Sequence, residues 1–187
     1  VLFRSSLENQ FNASNTALVA INPKNGDILT MVGSRDYFDK KIDGNFNVAT
    51  AYRQPGSTFK PFVYATAFMK GYTPDTVLFD VQTEFSTQCT PEGKPKLEKA
   101  DPKVCYSPTE YDGIFDGPMN IRTALAHSRN IPAVKTLYLA GIKESINTAR
   151  SMGITSLKDP NRYGLTLVLG GGEVSLLELT SAYGVFA

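Results

Sequence analysis

The stretch Ala17-Leu18-Val19-Ala20-Ile21-Asn22, Pro23-Lys24-Asn25-Gly26, Asp27-Ile28-Leu29-Thr30-Met31-Val32-Gly33 constrains the fold most. Two apolar, β-rich runs flank a turn in which Asn25 and Gly26 tolerate positive φ, so a β-hairpin is predicted over 17–33. A single strand pair is marginal in water and needs a larger sheet or helices to pack against. The chain beyond the hairpin is mostly helical in pattern, with no βαβ alternation. The expected class is therefore α+β.

The helices announce themselves in order. Phe59, Phe62, Val63 and Ala67 recur at i, i+3 and i+4, which predicts an apolar helix opening near Ser57 and closed by Gly71 and Pro74. Pro61 falls in its first turn, where a missing N–H costs little. Residues 72–117 are rich in Pro, Gly, Thr, Asp and Tyr and read as a long loop with one short strand within 77–85. A loop of that length in a compact domain usually has a functional reason. Cys89 and Cys105 lie inside it, and either bridge the loop in an oxidising compartment or stand as two thiols. Helical patterning returns at 120–126, at 132–140 with Pro132 in its first position, and at 143–152 with Gly153 as its C′ residue. Ser175-Leu176-Leu177-Glu178 has the spacing and residue types of a capping box and predicts one more helix.

Composition narrows the function classes. The chain has 187 residues, 42% hydrophobic and 20% charged, with a net charge of +1. That is too apolar for a disordered segment and too neutral to leave an electrostatic footprint for nucleic acid or an anionic membrane surface. One His and two Cys, without carboxylates at ligand spacing, predict no metal site, and no cofactor is expected. No apolar run approaches the ~20 residues of a bilayer span. Both ends read as internal: Val1 is not Met, and Ala187 falls inside an apolar, helix-like stretch. Residues 1–15 are expected to be a linker or the end of a preceding segment, and 16–187 a partial domain.

No Gly-x-Ser-x-Gly elbow, phosphate-binding loop, dinucleotide fingerprint or His-Glu-x-x-His motif is present. A Ser-His-Asp triad would have to use His127, which no Gly-flanked Ser accompanies. The positive candidate is Ser57-Thr58-Phe59-Lys60. On a helix, i and i+3 share a face, and Ser57 would sit at the N-terminus, where N–H groups favour developing negative charge. A Ser hydroxyl needs a base, and Lys60 serves if burial among Phe59, Phe62 and Tyr64 lowers its pKa. Ser-x-x-Lys alone arises roughly once by chance in a chain this long, and the blander role for Ser57 is that of a helix cap. The second candidate is Ser128-Arg129-Asn130, expected in a loop because Pro132 disfavours helix at Ile131. There Ser128 can relay a proton and Asn130 can bind a peptide carbonyl; the blander role for both is again helix capping.

With their flanks the two motifs are specific. Arg53-Gln54-Pro55-Gly56-Ser57-Thr58-Phe59-Lys60-Pro61-Phe62 resembles the active-site segment of class A penicillin-binding proteins. So do Tyr111-Asp112-Gly113-Ile114-Phe115-Asp116-Gly117-Pro118, the run Arg122 to Lys135 through Ser128-Arg129-Asn130, the hairpin 17–33, and Gly170-Gly171-Gly172-Glu173-Val174-Ser175-Leu176-Leu177-Glu178-Leu179. Ser-x-x-Lys, Ser-x-Asn and Lys-Thr-Gly are the signature of such enzymes.

The resemblance implies a β-lactamase/transpeptidase-like α+β fold, an antiparallel sheet with a helical subdomain. It makes Ser57 the acyl-accepting nucleophile, Lys60 its proton-handling partner, Ser128 a proton shuttle, Asn130 a substrate-binding residue, and Arg129 a tolerated middle position. The implied reaction is D,D-transpeptidation through a Ser57 acyl-enzyme, with peptidoglycan stem peptides, lipid II-derived glycan strands and β-lactams as partners. A D,D-carboxypeptidase, a serine β-lactamase and a penicillin sensor without turnover are the alternatives. The third motif is absent from residues 1–187: Lys135-Thr136-Leu137 lacks the Gly and falls in a predicted helix. The resemblance puts that motif, and the strands completing the sheet, beyond residue 187. It also implies an upstream glycosyltransferase domain, a membrane anchor in the parent, and an extracytoplasmic location.

Overall fold

The structure, a computed structural model, describes residues 10, 13–99 and 101–187, so most of the expected 1–15 linker lies outside the described residues. In chain order the elements are β1 (Leu18–Ile21), β2 (Ile28–Val32), β3 (Tyr52–Arg53), α1 (Lys60–Met69), β4 (Val77–Asp80), β5 (Gly117–Asn120), α2 (Ile121–Ala126), α3 (Asn130–Ala140), α4 (Ile142–Ser151), β6 (Val174–Ser175) and α5 (Leu176–Tyr183). Short 3₁₀ turns intervene, including Gly56–Phe59 and Leu165–Leu169. The strands form three separate antiparallel pairs, β1–β2, β3–β6 and β4–β5. The α+β expectation is met.

Two compact units emerge: residues 1–54, 149–159 and 172–187, and residues 55–148 and 160–171. In the first, the predicted hairpin is in register from Leu18 opposite Val32 to Ile21 opposite Ile28, with a bulge at Ala20/Ile21. Its turn closes as expected, with the Gly26 N–H on the Asn22 carbonyl and Gly26 at φ +79°. Helix α5 packs on β1 and begins with the predicted capping box: the Ser175 hydroxyl accepts the Glu178 N–H, and the Glu178 carboxylate accepts the Ser175 N–H. Outside these contacts the hairpin is thinly covered, and β2 is exposed along its whole length.

The second unit holds a dense core. Helix α1 packs on α3, burying Phe62, Val63 and Ala67 of one helix with Ile131, Val134 and Leu137 of the other. Leu167 and Val168 of the 165–169 turn close the group. Truncating a ring such as Phe62 in a core of this kind costs about 3–5 kcal/mol. Strand β4 lies within the predicted 77–85 range and alternates exposed and buried residues, which turns Leu78 and Asp80 inward. Its partner β5 was not expected, since 72–117 reads as a long loop with one short strand and helical patterning resumes at 120. Pro118 sits opposite Phe79 in a two-stranded ribbon, which has free edges that tolerate a missing N–H. Asn120 is accordingly not the first helical residue of α2 but its cap, accepting the Thr123 N–H. Cys89 and Cys105 form a disulfide, which settles the choice left open by their spacing.

Candidate active site

Ser57 lies in the 3₁₀ turn Gly56–Phe59 rather than in the α-helix itself. Pro61 supplies the reason. It has no N–H to give the Ser57 carbonyl an α-type bond, so the Lys60 N–H takes that carbonyl instead. In a 3₁₀ turn, i and i+3 side chains eclipse, which aligns Ser57 with Lys60 more closely than an α-helix would. The Thr58 hydroxyl donates to the Pro55 carbonyl and closes the turn from below (2.5 Å). From the side, Gly170, left-handed at φ +91°, presses on Gly56: a Cβ at position 170 would lie 2.5 Å from the Gly56 Cα. The backbone of 170 thereby sets the depth of the serine turn. The Ser57 side chain is exposed, and its hydroxyl forms no hydrogen bond among the described residues.

Lys60 is 1% exposed at the start of α1. Its Nζ donates to the carbonyl of Ser128 (2.5 Å), the carbonyl of Arg129 (3.1 Å) and Oδ1 of Asn130 (3.0 Å), and meets the Ser128 hydroxyl at 3.2 Å. Burial pushes its pKa down to about 8; the charge of Glu110 opposes that fall and the charge of Arg129 adds to it. The structure therefore brings Lys60, Ser128 and Asn130 into contact and leaves Ser57 one turn away, joined to Lys60 through the backbone.

Residues 128–130 converge on one nitrogen because of how α2 ends. The Ser128 N–H bonds the Leu125 carbonyl and the Arg129 N–H the Ala124 carbonyl, the paired closure of a Schellman turn. Ser128 takes the left-handed position that glycine usually fills, at φ +55°. A non-glycine there is strained by about 1–2 kcal/mol. The expected loop is correspondingly short, and α3 already starts at Asn130, ahead of Pro132. The correction has a physical cause. The carboxylate of Glu110, twenty residues back in the chain, accepts the N–H groups of Asn130 (2.7 Å) and Ile131 (2.6 Å) and so caps the helix from outside. The Asn130 side chain is fixed at both ends, since its amide nitrogen also donates to the Thr109 carbonyl (2.9 Å).

Sequence reasoning missed the residues behind this turn. Arg129, read as a tolerated middle position, is buried. Its guanidinium reaches Asp80 (2.7 Å), Asp112 (2.9 Å), Asp116 (3.4 Å), the carbonyl of Ile114 and, at 3.6 Å, Glu110. Asp80 is fully buried. The available signal was an acid ending an apolar strand, which demands a partner when it faces inward, together with three further acids in 110–116. Burial pushes Glu110 up, against the two N–H groups and the Arg129 charge that hold it down. His127 is exposed at the C-cap of α2. Among the described residues, one trio of potential metal ligands lies within 4.8 Å, Glu84, Cys89 and Cys105, and the disulfide occupies both thiols.

The model of the penicillin-binding protein transpeptidase domain matches residues 16–165. The chain belongs to that family. Penicillin-binding protein 1A of Rickettsia bellii is 34% identical over 173 residues, which cover 92% of this chain and 20% of the relative. Penicillin-binding protein 2D of Bacillus subtilis is 35% identical over 169 residues, 90% of this chain and 22% of the relative. The chain thus spans about a fifth of the length of these curated relatives. Among solved structures, penicillin-binding protein 1A from Haemophilus influenzae matches with a TM-score of 0.74 at 32% identity, over 92% of this chain and 23% of that one. A peptidoglycan glycosyltransferase from Burkholderia ambifaria shares the fold, with a TM-score of 0.72 at 21% identity over 98% of this chain and 56% of that one. The class A resemblance and the transpeptidase-like fold are borne out.

Proposed function

We propose that these residues carry the acylation centre of a peptidoglycan D,D-transpeptidase, with Ser57 as nucleophile, Lys60 as its base, Ser128 as proton shuttle and Asn130 as a substrate-binding residue. One observation carries the reading: a buried lysine with a lowered pKa, one turn from an exposed serine, is held by both polar residues of the second motif. With a pKa near 8, roughly a tenth of Lys60 is neutral at pH 7. Three of its four partners are carbonyl-type oxygens that only accept. The Ser128 hydroxyl is the fourth, and it alone can reverse and donate when Lys60 loses a proton.

In the proposed reaction the Ser57 hydroxyl oxygen attacks the carbonyl of the penultimate D-Ala of a stem peptide while its proton passes to neutral Lys60. Collapse breaks the peptide bond, and the departing D-Ala amine takes that proton back by way of Ser128. An amine of a second stem then attacks the Ser57 ester, giving up its proton along the same route and restoring the hydroxyl. The second hydrogen of the Asn130 amide, not used on Thr109, is available to a substrate carbonyl. A β-lactam would open on Ser57 by the same first step. The fuller proposal puts the domain outside the cytoplasm in a membrane-anchored parent that also polymerises glycan strands from lipid II. The Cys89–Cys105 bridge supports an oxidising location. No helix among the described residues is long and apolar enough to cross a membrane.

In the full-length protein, Ser57→Ala is expected to abolish labelling by a fluorescent penicillin; a labelled variant would mean that another residue is acylated. Incubation with stem peptide and an acceptor amine is expected to give a cross-linked product. Hydrolysis alone would point to the carboxypeptidase or β-lactamase reading, and a stable adduct without D-Ala release to the sensor.

A further inference from the structure

The reaction above uses the backbone of Arg129 and leaves its side chain unexplained. Three consecutive acceptors, the carbonyls of 128 and 129 and the side chain of 130, reach one Nζ only while Ser128 stays left-handed. Something must offset that strain. The Arg129 side chain extends from the same turn into Asp80, and its fork is fastened on several sides at once: to Asp80 by Nε and Nη2, to Asp112 by Nη1, and to the Ile114 carbonyl by Nη2. The Asp116 N–H also donates to Asp80 (3.2 Å), tying the far end of the 110–116 loop to the same acid. Reversing the turn at 128–129 would pull the guanidinium off a buried carboxylate. The same loop supplies Glu110, whose two oxygens hold the N–H groups of Asn130 and Ile131.

We propose that Arg129 is a positioning residue of the acylation centre, which, with Asp80, Asp112 and Glu110, holds the 128–130 turn against Lys60. The proposal rests on reading Ser57 and Lys60 as the acylating pair. The loop 109–117 is then part of the site's mechanical frame. The charged and titratable groups facing this region are Glu110, Asp112 and Asp116 from the loop, Arg129 from the turn, Asp80 from the end of β4, Lys135 from α3, whose Nζ donates to the Phe79 carbonyl, and Tyr64, buried one turn along α1. Of these, Glu110 and Arg129 act on Lys60 with opposite signs. Loss of the Arg129 charge raises the pKa of Lys60; loss of the Glu110 charge lowers it.

The test measures the acylation rate of the full-length protein by a fluorescent penicillin between pH 6 and 10, for the wild type, Arg129→Gln, Arg129→Lys and Glu110→Gln. Arg129→Gln is expected to slow acylation about ten- to a hundredfold at pH 7 and to move the midpoint of the rising limb to higher pH. Glu110→Gln also slows it but moves the midpoint to lower pH. Arg129→Lys returns the midpoint toward the wild type without restoring the rate, since one ammonium cannot span the fork. Folded variants with wild-type rates, or midpoints for Arg129→Gln and Glu110→Gln that shift the same way, overturn the proposal. If Arg129→Gln does not fold, Asp112→Asn, which removes one half-exposed arm, is expected to slow acylation severalfold with its melting curve retained; an unchanged rate overturns it. A wild type that takes no label, or a Ser57→Ala variant that does, instead refutes the underlying reading of the acylating pair.

Discussion

Two irregular segments lie side by side in the chain, 81–108 and 109–117, and they are held in opposite ways. The first is fastened to itself. Cys89 and Cys105 bridge it, the Phe85 N–H bonds the Tyr106 carbonyl, and the Phe85 and Tyr106 rings meet at a tilt of 45° with centroids 6.0 Å apart. The Glu84 carboxylate gathers the Ser86 and Tyr106 N–H groups and the Ser107 hydroxyl. The second segment has two hydrogen bonds of its own, from the Gly113 N–H to the Glu110 carbonyl and from the Ile114 N–H to the Asp112 carboxylate, and is otherwise held by distant partners, Arg129, Asn130, Ile131 and Asp80. Self-fastening makes a segment independent of its surroundings. Fastening to the second motif ties the other segment to the candidate site.

The comparison can be broken in stages. Asp80→Ala should have the largest effect, because it leaves the Arg129 guanidinium without its buried partner. A destabilisation of about 3–5 kcal/mol in a denaturant melt is expected, with loss of penicillin labelling in step. Retained labelling would mean that 109–117 is as self-sufficient as its neighbour. Replacing Cys89 and Cys105 together by Ser should come next. The bridge closes a segment with a sequence separation of 16, for which loss of chain constraint costs about 3 kcal/mol. Labelling should nonetheless keep its wild-type rate in the folded protein; a parallel fall would show that the insert does reach the site.

Acid should give the smallest effect. Burial acts to raise the Glu84 pKa, but hydrogen bonds from Ser107, Tyr106, Ser86 and Phe85 prevail and hold it below the usual carboxylate value. A carboxyl depressed in the folded state contributes stability above its ordinary pKa, and that contribution is lost as pH falls through the lowered value. The near-ultraviolet signal of the Phe85–Tyr106 pair should therefore loosen only below pH 4.5, reversibly. Loosening between pH 5 and 7 would indicate another group.

What the sequence disclosed was local. The hairpin, the apolar face of α1 and the capping box of α5 are each written within a few consecutive residues, and all three appear as read. The motif residues Lys60, Ser128 and Asn130 were also legible, and the structure brings them into contact. What stayed hidden depends on partners far along the chain. Asn130 begins a helix two residues before a proline because Glu110 caps it. Ser128 stands where glycine would be expected, in a turn whose next residue is held by Asp80 and Asp112. Arg129 read as a tolerated middle position because the acids its guanidinium reaches come from two other segments, the nearest of them 13 residues away.

The contact of Gly170 on Gly56 is backbone against backbone. It has no side chain that could be enlarged or trimmed, so small mutational steps cannot tune the depth of the serine turn. Any Cβ at 170 overshoots at once, and no smaller residue than glycine exists to retreat to. The seat of Ser57 therefore behaves as a fixed stop.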